Sequence, residues 1–196
     1  MSEQGHKKRQ QKLKERVDAR VEAAQQEKGL LLIVTGNGKG KSTSAFGTVA
    51  RATGHGLKCG VAQFIKGTWA CGERDLLSQH GVDFHVMGTG FTWDTQDKTA
   101  DTEAAQQIWQ HCQAMLADPN YDLVVLDEIT YMITYGYIEL DSVVAALQAR
   151  PADQSVIITG RGAHRQLVDM ADTVSEVRNV KHAFDAGIKA RQGIDW

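Results

Sequence analysis

The sequence predicts an α/β fold of three layers, in which helices cover both faces of a mostly parallel β-sheet. Two observations support this prediction. Short apolar, β-branched runs alternate with segments of helical periodicity, and such alternation is typical of strand–helix–strand units. In addition, the apolar run at residues 30–34 leads directly into a glycine-rich segment that precedes a predicted helix.

The composition is that of a single soluble domain. The chain has 196 residues, of which 42% are hydrophobic and 23% charged, enough to bury one substantial core. Because no apolar run approaches the length of a membrane span and the N-terminus lacks a signal-peptide core, we expect a cytoplasmic protein without membrane association.

Residues 1–28 predict a polar, helical N-terminal arm, and residues 29–196 a single α/β domain. Leu13, Val17 and Val21 recur every four residues and form a narrow apolar stripe. Either the arm is solvated, or it folds over the active site when substrate is present. The arm has eight Lys or Arg and five Asp or Glu, a net +3, which leaves −5 for the domain out of the total of −2. We therefore expect no nucleic-acid partner.

The segment from Gly36 to Thr43 predicts a phosphate-binding loop. Glycines let backbone N–H groups form a concave site for phosphate oxygens, and the first turn of the next helix adds further N–H groups. Lys41 would contact phosphate oxygens, and the Ser42 hydroxyl would ligate Mg²⁺. The predicted nucleotide-binding residues of the loop are Gly36, Asn37, Gly38, Lys39, Gly40, Lys41, Ser42 and Thr43.

This loop is one residue shorter than the usual pattern. Only three residues separate Gly36 from Gly40, where four are usual, and Thr35 stands in the position of the customary first glycine.

The helix after the loop is predicted over residues 45–53 and the second strand over residues 60–65. Gln63 and Lys66 then lie near the C-terminal end of that strand, where α/β folds bind ligands. Both are therefore candidate ATP-binding residues.

A short helix over residues 73–80 and a third strand over residues 82–87 precede a polar loop that contains two aromatic residues. Phe91 and Trp93 project to the same side if this loop is extended. Either they are core aromatics, or they form an apolar wall for a large flat ligand.

A long amphipathic helix is followed by a buried strand that ends in two carboxylates. The apolar positions of the helix are Ala104, Ala105, Ile108, Trp109, Cys112, Met115 and Leu116. The strand over residues 121–128 ends at Asp127 and Glu128, which are candidate Mg²⁺ ligands, directly or through water. Glu128 is also a candidate ATP-binding residue. Together with the phosphate loop, this strand predicts a RecA-like P-loop NTPase fold.

The last third of the chain predicts a helix over residues 139–149 and strands at residues 155–159 and 173–177. Arg161 follows the first of these strands and would lie at the same sheet edge as the phosphate loop. It either clamps phosphate oxygens or is a solvated loop charge.

The cysteines and histidines predict no metal centre. Cys59, Cys71 and Cys112 are far apart in the sequence, and the seven histidines show no ligand spacing. We expect reduced, structural thiols and no structural zinc.

Taken together, these motifs resemble the P-loop-type ATP:corrinoid adenosyltransferase family. The matching stretches are Thr35-Gly-Asn-Gly-Lys-Gly-Lys-Ser42, Gln63-Phe-Ile-Lys-Gly-Thr-Trp69 with Gly72-Glu73, Thr89-Gly-Phe-Thr-Trp93, Val124-Val-Leu-Asp-Glu128, Ile158-Thr-Gly-Arg161 and Val180-Lys-His-Ala-Phe-Asp-Ala-Gly187. Ser42 is a departure, because the family usually carries Thr there; both side chains supply a hydroxyl.

The resemblance implies that a cobalt(I) corrinoid attacks C5′ of ATP and releases inorganic triphosphate. It also implies a reversed nucleotide pose, with the terminal phosphate where other P-loop proteins hold an inner one. The predicted catalytic residues are then Lys41, Phe91, Trp93 and Arg161. Phe91 and Trp93 would bind the corrinoid and, by our hypothesis, favour cobalt(I) by removing an axial ligand.

The implied partners are ATP, a corrinoid and a reduced flavoprotein that donates electrons, and a homodimer is compatible with the sequence. Two alternatives remain open from the residues alone. One is an ATPase or kinase that cleaves the terminal phosphate, with Glu128 orienting water or an acceptor. The other is a non-catalytic, nucleotide-dependent interaction protein.

Overall fold

A single six-stranded sheet forms the centre of the molecule in the computed structural model, which describes residues 3–65, 70–88 and 98–195. The strand order is β3-β2-β4-β5-β1-β6, and all five pairings are parallel. The strands are β1 (Leu31–Thr35), β2 (Cys59–Gln63), β3 (Asp83–Val86), β4 (Leu123–Asp127), β5 (Ser155–Thr159) and β6 (Thr173–Glu176). The prediction of a mostly parallel sheet is confirmed.

The strand order places β5 between the strand that leads into the phosphate loop and the strand that ends in the carboxylates. Ile33 of β1 pairs with Ile158 of β5, and Leu126 of β4 pairs with the same residue from the other side. This is the RecA-like P-loop arrangement that the motifs predicted. The first two strands, β1 and β2, share the sheet but are not neighbours, because β4 and β5 lie between them.

Helices cover both faces of the sheet, which confirms the three layers. The helices of the described residues are α1 (Glu3–Ala23), α2 (Lys41–Gly54), α3 (Gly72–Gln79), α4 (Lys98–Ala117), α5 (Ile129–Thr134), α6 (Leu140–Ala149) and α7 (Arg165–Met170), with a 3₁₀ helix at Phe184–Ala186. The short helices α5 and α7 were not predicted from the sequence, and α2 begins four residues earlier than expected.

The two sides of strands β1, β2, β4 and β5 pack in two different apolar clusters. Val125 of β4 packs in the cluster that contains Phe46 and Val49 of α2. Its neighbour Val124 packs in the other cluster, with Trp109 of α4. Because successive side chains of a strand point to opposite faces, a strand buried on both sides must be largely apolar, as β4 is from Leu123 to Leu126.

The predicted face of the long helix is confirmed, since Ala105, Ile108, Trp109, Cys112, Met115 and Leu116 are buried and Ala104 packs against them. The three cysteines are buried. Burial raises the pKa of the Cys59 and Cys112 thiols, as expected of structural rather than reactive thiols.

The N-terminal arm is helical over Glu3–Ala23, and none of these residues is buried. The side chains of its apolar stripe are exposed, with Leu13 at 57%, Val17 at 49% and Val21 at 66%. Of the helices in residues 3–65, 70–88 and 98–195, none combines the length and the apolar character that crossing a membrane requires.

Candidate active site

The phosphate loop opens into a cleft of about 640 Å³ at the C-terminal edge of the sheet. The lining includes every loop residue from Asn37 to Thr43, together with Glu128 and Arg161. These residues come from the ends of three different strands, so the fold brings together most of the site that the sequence predicted.

The loop is held against the chain that follows β6. Gly36 and Gly40 have positive φ angles of 100° and 116°, which disfavour any residue with a side chain. The Gly38 N–H donates to the carbonyl of Val177 at 2.7 Å. A Cβ added at Gly36 would overlap the same carbonyl oxygen. The glycines at 36 and 38 therefore allow a close backbone approach that the sequence pattern alone does not reveal.

Lys41 is the first residue of α2 and is only 6% exposed. Its Nζ donates to the carbonyl of Gly38 at 3.0 Å. Burial lowers the pKa of Lys41, and the nearby Arg161 acts in the same direction, whereas Glu128 and Asp127 oppose them. A buried ammonium beside the free N–H groups of a helix N-terminus makes a strong anion site.

Asp127 is held in a buried hydrogen-bond network rather than in the cleft lining. It is 1% exposed. Its Oδ1 accepts from Thr159 Oγ1 at 2.7 Å, and its Oδ2 accepts from Gln63 Nε2 at 3.4 Å. The Thr159 oxygen in turn accepts from the backbone N–H of Glu128 at 2.9 Å. The sequence alone does not identify Thr159, because its role depends on β5 lying between β1 and β4.

Glu128 lines the cleft from a left-handed backbone conformation. Its φ of 64° is the one positive value among the non-glycine residues that the structure describes. Such a conformation is costly and is commonly kept at functional sites by its surroundings. Gly160, at φ 135°, packs so closely that a Cβ there would overlap the Thr130 hydroxyl oxygen.

Three predicted site residues are in segments outside the described residues: Lys66, Phe91 and Trp93. Gln63 is described and fully buried, with its amide directed at Asp127. Its predicted contact with ATP therefore stays a prediction.

The C-terminal tail supplies one wall of the cleft, which sequence analysis did not predict. The residues it contributes are Asn179, His182, Phe184, Asp185, Ile194 and Asp195. Asp195 forms an ion pair with Lys39 of the phosphate loop at 2.6 Å. The available sequence signal was the stretch 180–187, which matched a family motif without indicating a place in the fold.

Oxygen donors suited to Mg²⁺ face the cleft. Ser42 and Glu128 both line it, whereas both carboxylate oxygens of Asp127 accept protein hydrogen bonds. Mg²⁺ is usually held by one or two protein oxygens together with substrate phosphates and water, so this donor set fits. Residues 3–65, 70–88 and 98–195 contain no group of three or more His, Cys, Asp or Glu placed to hold a metal ion alone.

Comparison with known proteins assigns the family. Residues 27–196 match the model of the ATP:corrinoid adenosyltransferase family BtuR/CobO/CobP. The chain belongs to this family. It is 63% identical to the corrinoid adenosyltransferase CobA of Salmonella typhimurium and 61% identical to the corrinoid adenosyltransferase of Escherichia coli K12, over the whole of each chain. It is 50% identical to the Pseudomonas aeruginosa corrinoid adenosyltransferase, over 99% of this chain and 97% of that one.

Proposed function

We propose that this protein transfers the 5′-deoxyadenosyl group of ATP to the cobalt(I) of a corrinoid and releases inorganic triphosphate. This reaction would serve adenosylcobalamin biosynthesis or corrinoid salvage. Family membership supports the reaction class. The observation on which the site assignment rests is the buried Lys41 ammonium, which lies inside a glycine loop at the head of a helix.

The loop, on this proposal, holds the leaving group. Breaking the C5′–O bond leaves the electron pair, and hence negative charge, on the triphosphate. Lys41 and the first N–H groups of α2 are fixed before the reaction, so they stabilise that charge without having to reorganise. Arg161, which lines the same cleft, would bind phosphate oxygens through two parallel N–H donors.

Ser42 and Glu128 are the residues that would hold Mg²⁺ on the phosphates. The ion supplies additional charge neutralisation to the leaving polyphosphate. Asp127 would act one layer further back. It would act either on the ion through a water molecule or on Glu128 through Thr159, which holds the Glu128 backbone. This arrangement keeps all three predicted metal-site residues but divides their tasks.

No general base is required for this transfer. Cobalt(I) is already a strong nucleophile, and the attacked carbon loses no proton. Glu128 would therefore contact the metal or the ribose rather than activate water. Gln63 and Lys66 are proposed to support ATP binding at the end of β2.

Phe91 and Trp93 are proposed to form an apolar wall against the corrinoid. Removing an axial ligand from cobalt(II) makes its reduction easier, and an apolar wall would disfavour that ligand. We therefore expect Phe91→Ala and Trp93→Ala to impair transfer from cobalt(II) plus reductant far more than transfer from chemically prepared cobalt(I). Equal losses in the two assays would contradict this role.

The remaining parts of the proposal concern partners and location. We propose a reduced flavoprotein as the electron donor, a cytoplasmic location and a homodimer as the assembly to test first. The N-terminal arm is proposed to order over the site when both substrates are bound.

The decisive experiment mixes the protein, Mg-ATP and chemically reduced corrinoid, and assays two products together. We expect inorganic triphosphate and a light-sensitive alkyl–cobalt product in equal amounts. ADP in place of triphosphate would instead indicate a P-loop ATPase or kinase.

A further inference from the structure

The ion pair between the phosphate loop and the C-terminal tail places a carboxylate where a polyanion must bind. Asp195 Oδ1 lies 2.6 Å from Lys39 Nζ, and the two side chains are 27% and 45% exposed. Both residues line the cleft of the phosphate loop. Lys39 is a loop cation that would otherwise be available to phosphate oxygens.

Asp195 is fixed in place by its own turn. Its Oδ2 accepts from the Arg191 N–H at 2.8 Å, and its own N–H donates to the Arg191 carbonyl at 2.8 Å. The hydrogen bond from Lys39 and the one from the Arg191 N–H lower the pKa of the Asp195 carboxyl, so this group carries a negative charge at neutral pH. The turn therefore presents a fixed negative charge to the loop.

The rest of the tail is held loosely. From residue 178 to residue 195 no side chain is buried, and only His182 and Asp195 are partly buried. Phe184 and Ile194 are 76% and 69% exposed. With so little apolar burial to hold the turn, its ion pair with Lys39 is a principal connection between the loop and the tail.

We propose that Asp195 competes with the phosphate chain for Lys39, so that the tail turn weakens the grip of the loop on triphosphate. This inference rests on the proposed function and names a residue that sets affinity for the phosphate chain. A phosphate oxygen bound to Lys39 would lie within a few ångströms of the Asp195 carboxylate, and these like charges repel. Triphosphate binding therefore requires the ion pair between Asp195 and Lys39 to break, and re-formation of this ion pair favours release of triphosphate.

The test is a double-mutant cycle on the full chain, read by calorimetric binding of inorganic triphosphate in the presence of Mg²⁺. Asp195→Asn keeps an oxygen that can accept from the Arg191 N–H, but it removes the charge. We expect it to tighten triphosphate binding about three- to fivefold at low salt, which corresponds to the interaction energy of a partly exposed ion pair. The effect should be smaller at high salt. In a Lys39→Gln background the same substitution should change the affinity by less than about 1.5-fold.

Asp185→Asn is the matched control. Asp185 is a tail carboxylate that lines the same cleft, so this variant removes one unit of negative charge without removing the pair with Lys39. We expect it to change triphosphate affinity by less than about twofold, because solvent and salt screen a charge outside the ion pair more strongly than a charge within it.

Three results would overturn the proposal. Weaker binding by Asp195→Asn would mean that Asp195 instead orients Lys39 toward the phosphates. Unchanged binding, or the same gain with and without Lys39, would mean that no competition exists. In each case a wild-type protein that still binds triphosphate leaves the proposed function intact. A wild type that binds none would overturn both.

Discussion

Thr159→Val tests the buried network that connects the two carboxylates. Thr159 Oγ1 donates to Asp127 Oδ1 at 2.7 Å and accepts from the Glu128 N–H at 2.9 Å. Valine keeps the shape of the side chain but can make neither bond. A hydrogen bond to a charged acceptor is worth about 1.5–3 kcal/mol, and a buried donor left without an acceptor costs about 1–3 kcal/mol.

We therefore expect the free energy of unfolding to fall by about 3 kcal/mol. For a chain of this size, that corresponds to a loss of roughly 6–12 °C in Tm. Thr159→Ser is the control, because it keeps the hydroxyl and removes one methyl group, at a cost of about 1 kcal/mol. Urea denaturation measures the free energy of unfolding of both variants, provided that the slope m is the same for the two.

The same substitution separates a structural role from a functional one. If the network holds Glu128 in its left-handed conformation for ligand binding, Thr159→Val should raise the KM for Mg-ATP, and Thr159→Ser should restore it. A valine variant as stable as the serine variant, with an unchanged KM, would refute the assignment.

Further predictions concern three features: Lys41, the loop glycines and the arm. Lys41→Ala should abolish transfer from chemically reduced corrinoid. Because the pKa of Lys41 is lowered, wild-type affinity for triphosphate should fall as the pH rises through that lowered pKa, while Lys41→Arg stays charged and shows less pH dependence. Gly36→Ala should destabilise the protein by about 2 kcal/mol or more, exceeding Gly40→Ala, since both have positive φ but only Gly36 meets a carbonyl oxygen. Deleting residues 1–24 should shift Tm by less than about 2 °C, because no residue of α1 is buried.

Each of these has a clear contrary result. Full activity of Lys41→Ala in the transfer assay would remove the phosphate-loop assignment. Equal thermal shifts for the two glycine variants would show that the approach of Val177 does not matter. A large loss of Tm on deletion of the arm would mean that it packs on the domain. If substrates order the arm, its protease sensitivity should disappear when they are added.

The sequence predicted the parts of the molecule whose signals are local. The apolar strands, the phosphate loop and the Asp127–Glu128 pair each have a pattern within a few residues, and the resemblance to a family linked them. Helix α5 was missed because its sequence, Ile-Thr-Tyr-Met-Ile-Thr, is β-branched and aromatic, which favours strands; tertiary packing overrides that preference.

What the sequence could not predict depends on strand order and on distant segments. Thr159 looks like the ordinary end of a strand until β5 is placed beside β4. The tail carries no periodic apolar pattern, so its sequence does not predict that it lines the cleft. The close packing of Gly36 on Val177 likewise joins residues far apart in the sequence, which one sequence without aligned relatives does not reveal.

The position of β1 between β5 and β6 has a consequence for how the protein is made. Leu31 of β1 pairs with Val156, and Leu32 pairs with Thr173, so both neighbours of this strand are synthesised late. Such distant pairings slow folding and leave the early strand unpaired on the ribosome. We expect a nascent chain stalled before residue 173 to have no affinity for ATP, even though its phosphate loop was among the first segments to emerge.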